Sequence, residues 1–183
     1  MNTLLHTLRC IGFATLDRIA KIAALPEPEA ESELIDLAVA GLVTRLPGEF
    51  GGWGLTDRGK EAASKQAAAE LDATGARPRV LLAFDEFLVL NPELLDLCTA
   101  WQVRSDAAKV LALFADFDRR ASAVIADVAA VLPRFGRYRE RLSAALKLAL
   151  DGRTEYLTDE MESYHAIWFQ LHEDLLVTLG IPR

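Results

Sequence analysis

The side chains of this chain best equipped for chemistry sit together late in the sequence, in Ser163-Tyr164-His165-Ala166-Ile167-Trp168-Phe169-Gln170-Leu171-His172-Glu173-Asp174-Leu175. On a helix of about 3.6 residues per turn, Met161, Tyr164, Trp168, Leu171 and Leu175 form one stripe. His165 and His172 are seven apart, so they fall within about 20° of each other at the stripe's edge. Three readings fit. The histidines can be hydrogen-bonded at the rim of a helical core. With Tyr164 and Trp168, and with Trp101 from an earlier helix, they can line a ligand pocket, since pockets between helices mix aromatic walls with few polar groups. They can also bind a metal, but a rise of about 10.5 Å over two turns suits one ion poorly. No H-E-x-x-H or Cys-x-x-Cys accompanies them. The reading therefore assigns no metal and no cofactor.

Other reactive groups are sparse. No G-x-S-x-G, phosphate-binding loop or dinucleotide fingerprint occurs, so no catalytic residue is assigned and a non-enzyme is favoured. Cys10 and Cys98 each lie in apolar helical patterns, as buried thiols of a reducing compartment do. The densest positive run is Arg134-Phe135-Gly136-Arg137-Tyr138-Arg139-Glu140-Arg141. Interleaved aromatics suit a nucleic-acid or anion surface, whereas Glu140 and neighbouring acidic helices favour a solvated, salt-bridged helix start.

These groups must be positioned by helices. Apolar spacing gives helices over 3–13, 16–24 with Thr15 as N-cap, and about 29–40 with Gly41 as left-handed C-cap. Pro26 and Pro28 break the second of these from the third. Leu42–Leu46 and Trp53–Leu55 read as strands around the glycine-rich turn 47–52. Thr56 caps another helix, which fades over 66–78 into a connection bracketed by Gly75 and Pro78. Beyond it the chain reads as helical: an apolar segment over 79–90, then a helix started by Asn91-Pro92-Glu93 and running to about Arg104. Ser105 caps a helix to about Leu132, another spans about 137–150, and Thr158 caps the last, over about 159–179. Short loops favour antiparallel packing.

The first part carries a recognisable order. Thr15-Leu16-Asp17-Arg18-Ile19-Ala20, then Leu34-x-x-Leu37-x-x-x-Gly41-Leu42-Val43, then a glycine turn and Leu55-Thr56-x-x-Gly59 resemble MarR- and PadR-like winged-helix regulators over about residues 3–65. The resemblance implies a DNA-binding domain whose third helix enters the major groove while the wing touches backbone or minor groove. It assigns Ser32, Arg45, Trp53, Arg58 and Lys60 to double-stranded DNA. The phrases W-Q-x-R and S-Y-H-x-x-W-F-x-x-H-E-D-L are similar to the C-terminal half of a group of high-GC bacterial winged-helix regulators, a likeness that implies no particular activity.

Charge opposes part of this. The chain carries 20 Lys+Arg and 27 Asp+Glu, a net −7, and the winged-helix part alone is −2. Glu27, Glu29, Glu31, Glu33 and Asp36 crowd the third helix, and no Lys or Arg lies between Lys21 and Arg45. DNA affinity rests on cations that neutralise phosphates.

The fold expected is mainly α: a winged helix-turn-helix domain over 1–65, a connecting helix or linker over 66–78, and an α-helical dimerisation or ligand-sensing domain over 79–183. The function expected is a DNA-binding transcriptional regulator, a homodimer with a small-molecule effector at Trp101, Tyr164, His165, Trp168 and His172. The alternative is a winged-helix scaffold that does not bind DNA. It would serve as a protein-interaction module or a small-molecule enzyme working through the aromatic and histidine helix. With no secretory pattern and no apolar run long enough to span a membrane, a cytoplasmic location is expected.

Overall fold

A computed structural model of the chain describes residues 1–48, 51–103 and 106–182. Among them are eight α-helices and one two-stranded antiparallel sheet, in the order α1 (Thr3–Ile11), α2 (Leu16–Ala23), α3 (Glu27–Val39), β1 (Val43–Leu46), β2 (Gly52–Leu55), α4 (Asp57–Thr74), α5 (Arg77–Gln102), α6 (Ala107–Ala129), α7 (Gly136–Leu150) and α8 (Tyr164–Leu179). Short 3-10 turns occupy Pro133–Phe135 and Thr154–Tyr156. None of the described helices is long and apolar enough to cross a membrane. The chain forms two compact units, Met1–Ala73 with Leu176–Arg183, and Thr74–Leu175.

In the first unit α1, α2 and α3 enclose Leu4, Leu5, Leu8, Ile19, Ala20, Ala23, Ala30, Leu34 and Leu37, to which the hairpin adds Val43 and Trp53. Asn2 caps α1 by accepting the Leu5 N–H at 2.8 Å. Its amide also donates to Glu33 of α3 at 2.5 Å. The third helix begins at Glu27, earlier than expected, because Pro26 is its N-cap and Pro28 lies in its first turn, where a missing N–H costs nothing. It ends before Gly41, whose φ of 71° is the left-handed turn that sends the chain into β1. The strands pair Val43 with Leu55 and Arg45 with Trp53. An antiparallel bridge from Ala14 to Trp53 ties the hairpin to the segment after α1.

The expected fading of helix over 66–78 is corrected. α4 is continuous to Thr74 because Ala63, Ala67 and Leu71 continue one buried stripe at four-residue spacing. Gly75, at φ 61°, ends it.

In the second unit α5, α6, α7 and α8 pack around Phe87, Phe114, Phe117, Phe135, Leu142, Tyr164 and Trp168, all nearly inaccessible. Asn91-Pro92 does not start a helix. Pro92 lies inside the 26-residue α5. An internal proline leaves the carbonyl four residues back without its donor. Here that residue is Leu88, on the exposed side of α5, and the buried side chains on both sides of Pro92 hold the helix together. The start of α6 is capped by Asp106, whose carboxylate accepts the Lys109 N–H at 3.1 Å. Arg104 and the expected cap Ser105 lie outside the described residues, as do Glu49 and Phe50 of the hairpin turn. The last helix starts at Tyr164, not after Thr158. Thr158 spends its hydroxyl on the Asp159 carboxylate at 2.8 Å, whereas Ser163 Oγ accepts the Ala166 N–H at 3.2 Å, the bond an N-cap makes. Met161 thereby falls outside the helix and is 61% exposed.

Candidate functional site

Two places hold the residues singled out from sequence. The first is the surface formed by α3 and the hairpin. Its backbone is fixed by Leu55-Thr56-x-x-Gly59. Thr56 Oγ1 lies 2.8 Å from the Gly41 carbonyl and 3.1 Å from that of Leu42, and it accepts the Gly59 N–H at 3.1 Å. One hydroxyl thus joins the end of α3 to the start of α4. Gly59 is required because a Cβ there would stand 1.9 Å from the Leu42 carbonyl oxygen. Glycines 52 and 54 have a similar cause: a Cβ on Gly52 would stand 2.5 Å from the Ala14 carbonyl oxygen, and one on Gly54 3.2 Å from the Phe13 ring.

Of the residues assigned to DNA, Ser32, Arg45, Arg58 and Lys60 are exposed. Trp53 is 4% exposed and belongs to the core. The Arg45 guanidinium covers it, 5.3 Å from the ring centroid, as a cation over a π face. Lys60 pairs with Asp57 at 3.0 Å on the surface. Beside the hairpin, Leu8, Arg9, Gly12, Phe13, Thr44, Gly54, Leu55 and Lys60 line a cavity of about 320 Å³.

The outward face of α3 has a different character. Glu27, Glu29, Ser32 and Asp36 are exposed and Glu31 half-buried. Among them stand Ile35, 47% exposed, and Val39, 85% exposed. Ile35 and Val39 are one turn apart, so they share a face. The two acids in the first turn also have a structural function, since carboxylates favour the positive end of the helix dipole.

The second place is α8 and its neighbours. Trp168 stacks on Phe87 with centroids 4.5 Å apart and meets Phe117 edge-on at 5.2 Å. Its indole N–H donates to Asn91 Oδ1 at 3.0 Å. Tyr164 packs edge-on against Phe114 and Phe117 and donates its hydroxyl to Asp118 at 3.0 Å. Burial, followed by the Asp118 charge, pushes the Tyr164 phenol well above its ordinary range. His172 is half-buried and stacks on Phe87 and Phe84. Tyr164, Trp168 and His172 are thus brought together as a packed aromatic layer around Phe87 and Phe117. His165 is half-buried, and its backbone N–H donates to the Leu157 carbonyl. Trp101 is half-buried in the last turn of α5.

The positive run 134–141 turns inward onto carboxylates. Arg134 donates to Asp174 at 3.2 Å, Arg139 to Asp118 at 3.2 Å, and Arg141 to Glu162 at 2.8 Å and Gln170 at 2.7 Å. Tyr138 adds its hydroxyl to Asp174 at 3.0 Å. The run is salt-bridged as expected but not solvated: its three paired arginines face carboxylates that are mostly buried. Sequence reasoning missed Asn91, Asp118 and Asp174 as partners. Asn91 was masked by the proline beside it. The two aspartates share core-facing positions with Phe114, Phe117 and Ala121 and with Leu171 and Leu175, but the charges beside them, Asp116, Arg119 and Glu173, hide that signal. No protein family, curated protein or solved structure matches this chain.

Proposed function

We propose that the first unit is a winged-helix module whose third helix docks a basic, amphipathic segment of another protein. Support for a winged helix is the order α1-α2-α3-β1-β2, the Ala14–Trp53 bridge that adds a third strand position to the hairpin, and the Thr56–Gly59 lock at the end of α3. The observation that carries the docking function is the outward face of α3. It sets Ile35 and Val39 in the open among Glu27, Glu29, Glu31 and Asp36, with no cation on the helix. A helix meant for the major groove meets phosphates on both sides, and that much carboxylate repels them. An apolar stripe flanked by acids is instead complementary to a helix with an apolar stripe flanked by Lys and Arg.

A second reading, regulation through duplex DNA, keeps support from Arg45, Arg58 and Lys60, exposed on the wing and at the start of α4. Fluorescence anisotropy separates the two. The probes are a labelled random-sequence duplex and a labelled 18-residue Leu/Lys amphipathic peptide, both at low salt. The expected result is peptide binding that weakens about tenfold or more in Val39→Asp, the loss of an apolar anchor, with no duplex binding. Duplex binding with a steep salt dependence, and no peptide binding, overturns the docking assignment.

A further inference from the structure

The outer face of α5 carries a run of exposed aliphatic side chains beside the acids Asp85, Glu86 and Asp96. The inner face buries Val80, Ala83, Phe84, Phe87, Leu90, Leu94, Leu97 and Cys98. The outer face leaves Leu81, Leu88 and Leu95 41–46% exposed, Leu82 60%, Val89 78%, and Val103, just past the helix, 71%. That much exposed aliphatic surface along one helix marks an interaction site. Leu81, Leu88 and Leu95 repeat every seven residues, as do Leu82 and Val89, with Val103 two repeats further on. That period keeps a seam facing one partner helix.

We propose that this face is a self-association surface on which two copies of the chain pair α5 with α5, antiparallel, about a two-fold axis at Leu88. Area and charge select this occupant. The six side chains expose on the order of 550 Å² of aliphatic surface, most of the roughly 800 Å² each partner contributes to a standard interface; Pro92, Thr99 and the flanking polar residues extend it. The row Leu81, Leu88 and Leu95 is symmetric about Leu88, so an antiparallel mate sets Leu81 of one copy against Leu95 of the other and Leu88 against itself, as an isologous interface requires. Charge fixes the direction. The exposed side carries Asp85, Glu86 and Asp96, while Arg77 and Arg79, the latter 3.6 Å from the Asp127 carboxylate of α6, stand at the N-terminal end of α5. A parallel mate would set each aspartate against its own copy. The antiparallel mate places the arginine end of one helix beside Asp96 of the other. Self-association through α5 is independent of what α3 binds.

The test uses the full chain. Sedimentation velocity of the wild type at tens of micromolar is expected to show a dimer. Leu88→Glu, a change at an exposed position, is expected to raise the dimer dissociation constant about 100-fold or more with helical circular dichroism unchanged, because two carboxylates then meet on the axis. Should that variant lose helicity, Val89→Ser serves, with a weaker dimer expected. Under mild oxidation Leu88→Cys is expected to form a disulfide-linked dimer, since only a residue near the axis comes within the Cα separation a disulfide needs. Phe169→Cys, exposed on α8, is expected not to. A monomeric wild type, a dimer indifferent to Leu88→Glu and Val89→Ser, or Leu88→Cys that cross-links no better than Phe169→Cys overturns the proposal.

Discussion

Replacing Gly59 by alanine tests the lock that holds the end of α3 against the hairpin. The new Cβ would stand 1.9 Å from the Leu42 carbonyl oxygen and 3.2 Å from Leu55 Cδ2. A tolerable carbon–oxygen contact is about 3.3 Å, so the Leu42 carbonyl must retreat by about 1.4 Å. That carbonyl accepts the Thr56 N–H at 3.0 Å and lies 3.1 Å from the Thr56 hydroxyl. A shift of this size takes both beyond hydrogen-bond range. The lost N–H bond costs about 1 kcal/mol, the hydroxyl keeping its shorter bond to the Gly41 carbonyl, and residual overpacking adds about 1–3 kcal/mol. Alanine returns about 1 kcal/mol because Gly59 lies within α4. The expected net loss is about 1–3 kcal/mol, read as a lower urea midpoint by circular dichroism and tryptophan fluorescence. Gly136→Ala is the control: that glycine is helical, at φ −56°, with nothing within 4 Å of its would-be Cβ. Alanine there is expected to be neutral or to stabilise by up to about 1 kcal/mol. If Gly59→Ala is as stable as Gly136→Ala, the close approach at Leu42 is not what the glycine serves.

Three further outcomes concern the second unit. Tyr164 keeps its proton in the folded state above its ordinary pKa, so above about pH 10 the unfolded chain binds fewer protons and stability falls as pH rises. Tyr164→Phe is expected to lessen that alkaline loss while costing about 1.5–3 kcal/mol at neutral pH through the lost bond to Asp118; an unchanged alkaline slope in urea titrations across pH contradicts it. Burial pushes the Cys98 thiol up to about 12, so iodoacetamide at about pH 8.5 is expected to alkylate it only after unfolding, and peptide mapping that finds it modified in the native chain refutes this. Asn91→Leu removes the acceptor of the Trp168 indole N–H and is expected to cost about 1–3 kcal/mol in urea stability; no loss would mean the bond contributes nothing net.

Elements defined by a strong local cause were legible in the sequence. Gly41 ends α3, Thr56 caps α4, and the glycine-rich turn joins two strands, because each depends on backbone chemistry within a few residues. Errors arose where tertiary packing overrode a local signal. Asn91-Pro92-Glu93 has every local mark of a helix start, yet Phe87, Leu90, Leu94 and Leu97 bury enough surface to carry the helix through the proline. Thr158 and Ser163 compete as caps, and periodicity extended too far placed Met161 in the buried stripe. The stripe through Tyr164, Trp168, Leu171 and Leu175 was legible, since all four are buried. Their partners Asn91, Asp118 and Phe87 lie about 45–80 residues away, beyond what helical spacing reports. The acids of α3 were visible as composition. That Val39 and Ile35 stand exposed among them, while Glu33 is taken by Asn2, needed the packed unit.

The central claim is that α3 presents a protein-docking face and not a DNA-reading one. Chemical-shift mapping on ¹⁵N-labelled protein at low salt tests it most directly, with the Leu/Lys amphipathic peptide and the random-sequence duplex added in separate titrations. The peptide is expected to shift the amides of Glu31, Ile35, Asp36 and Val39 in a saturable way, and the duplex to leave them unmoved. Saturable shifts on α3, Arg45 and Arg58 with the duplex, and none with the peptide, would contradict it.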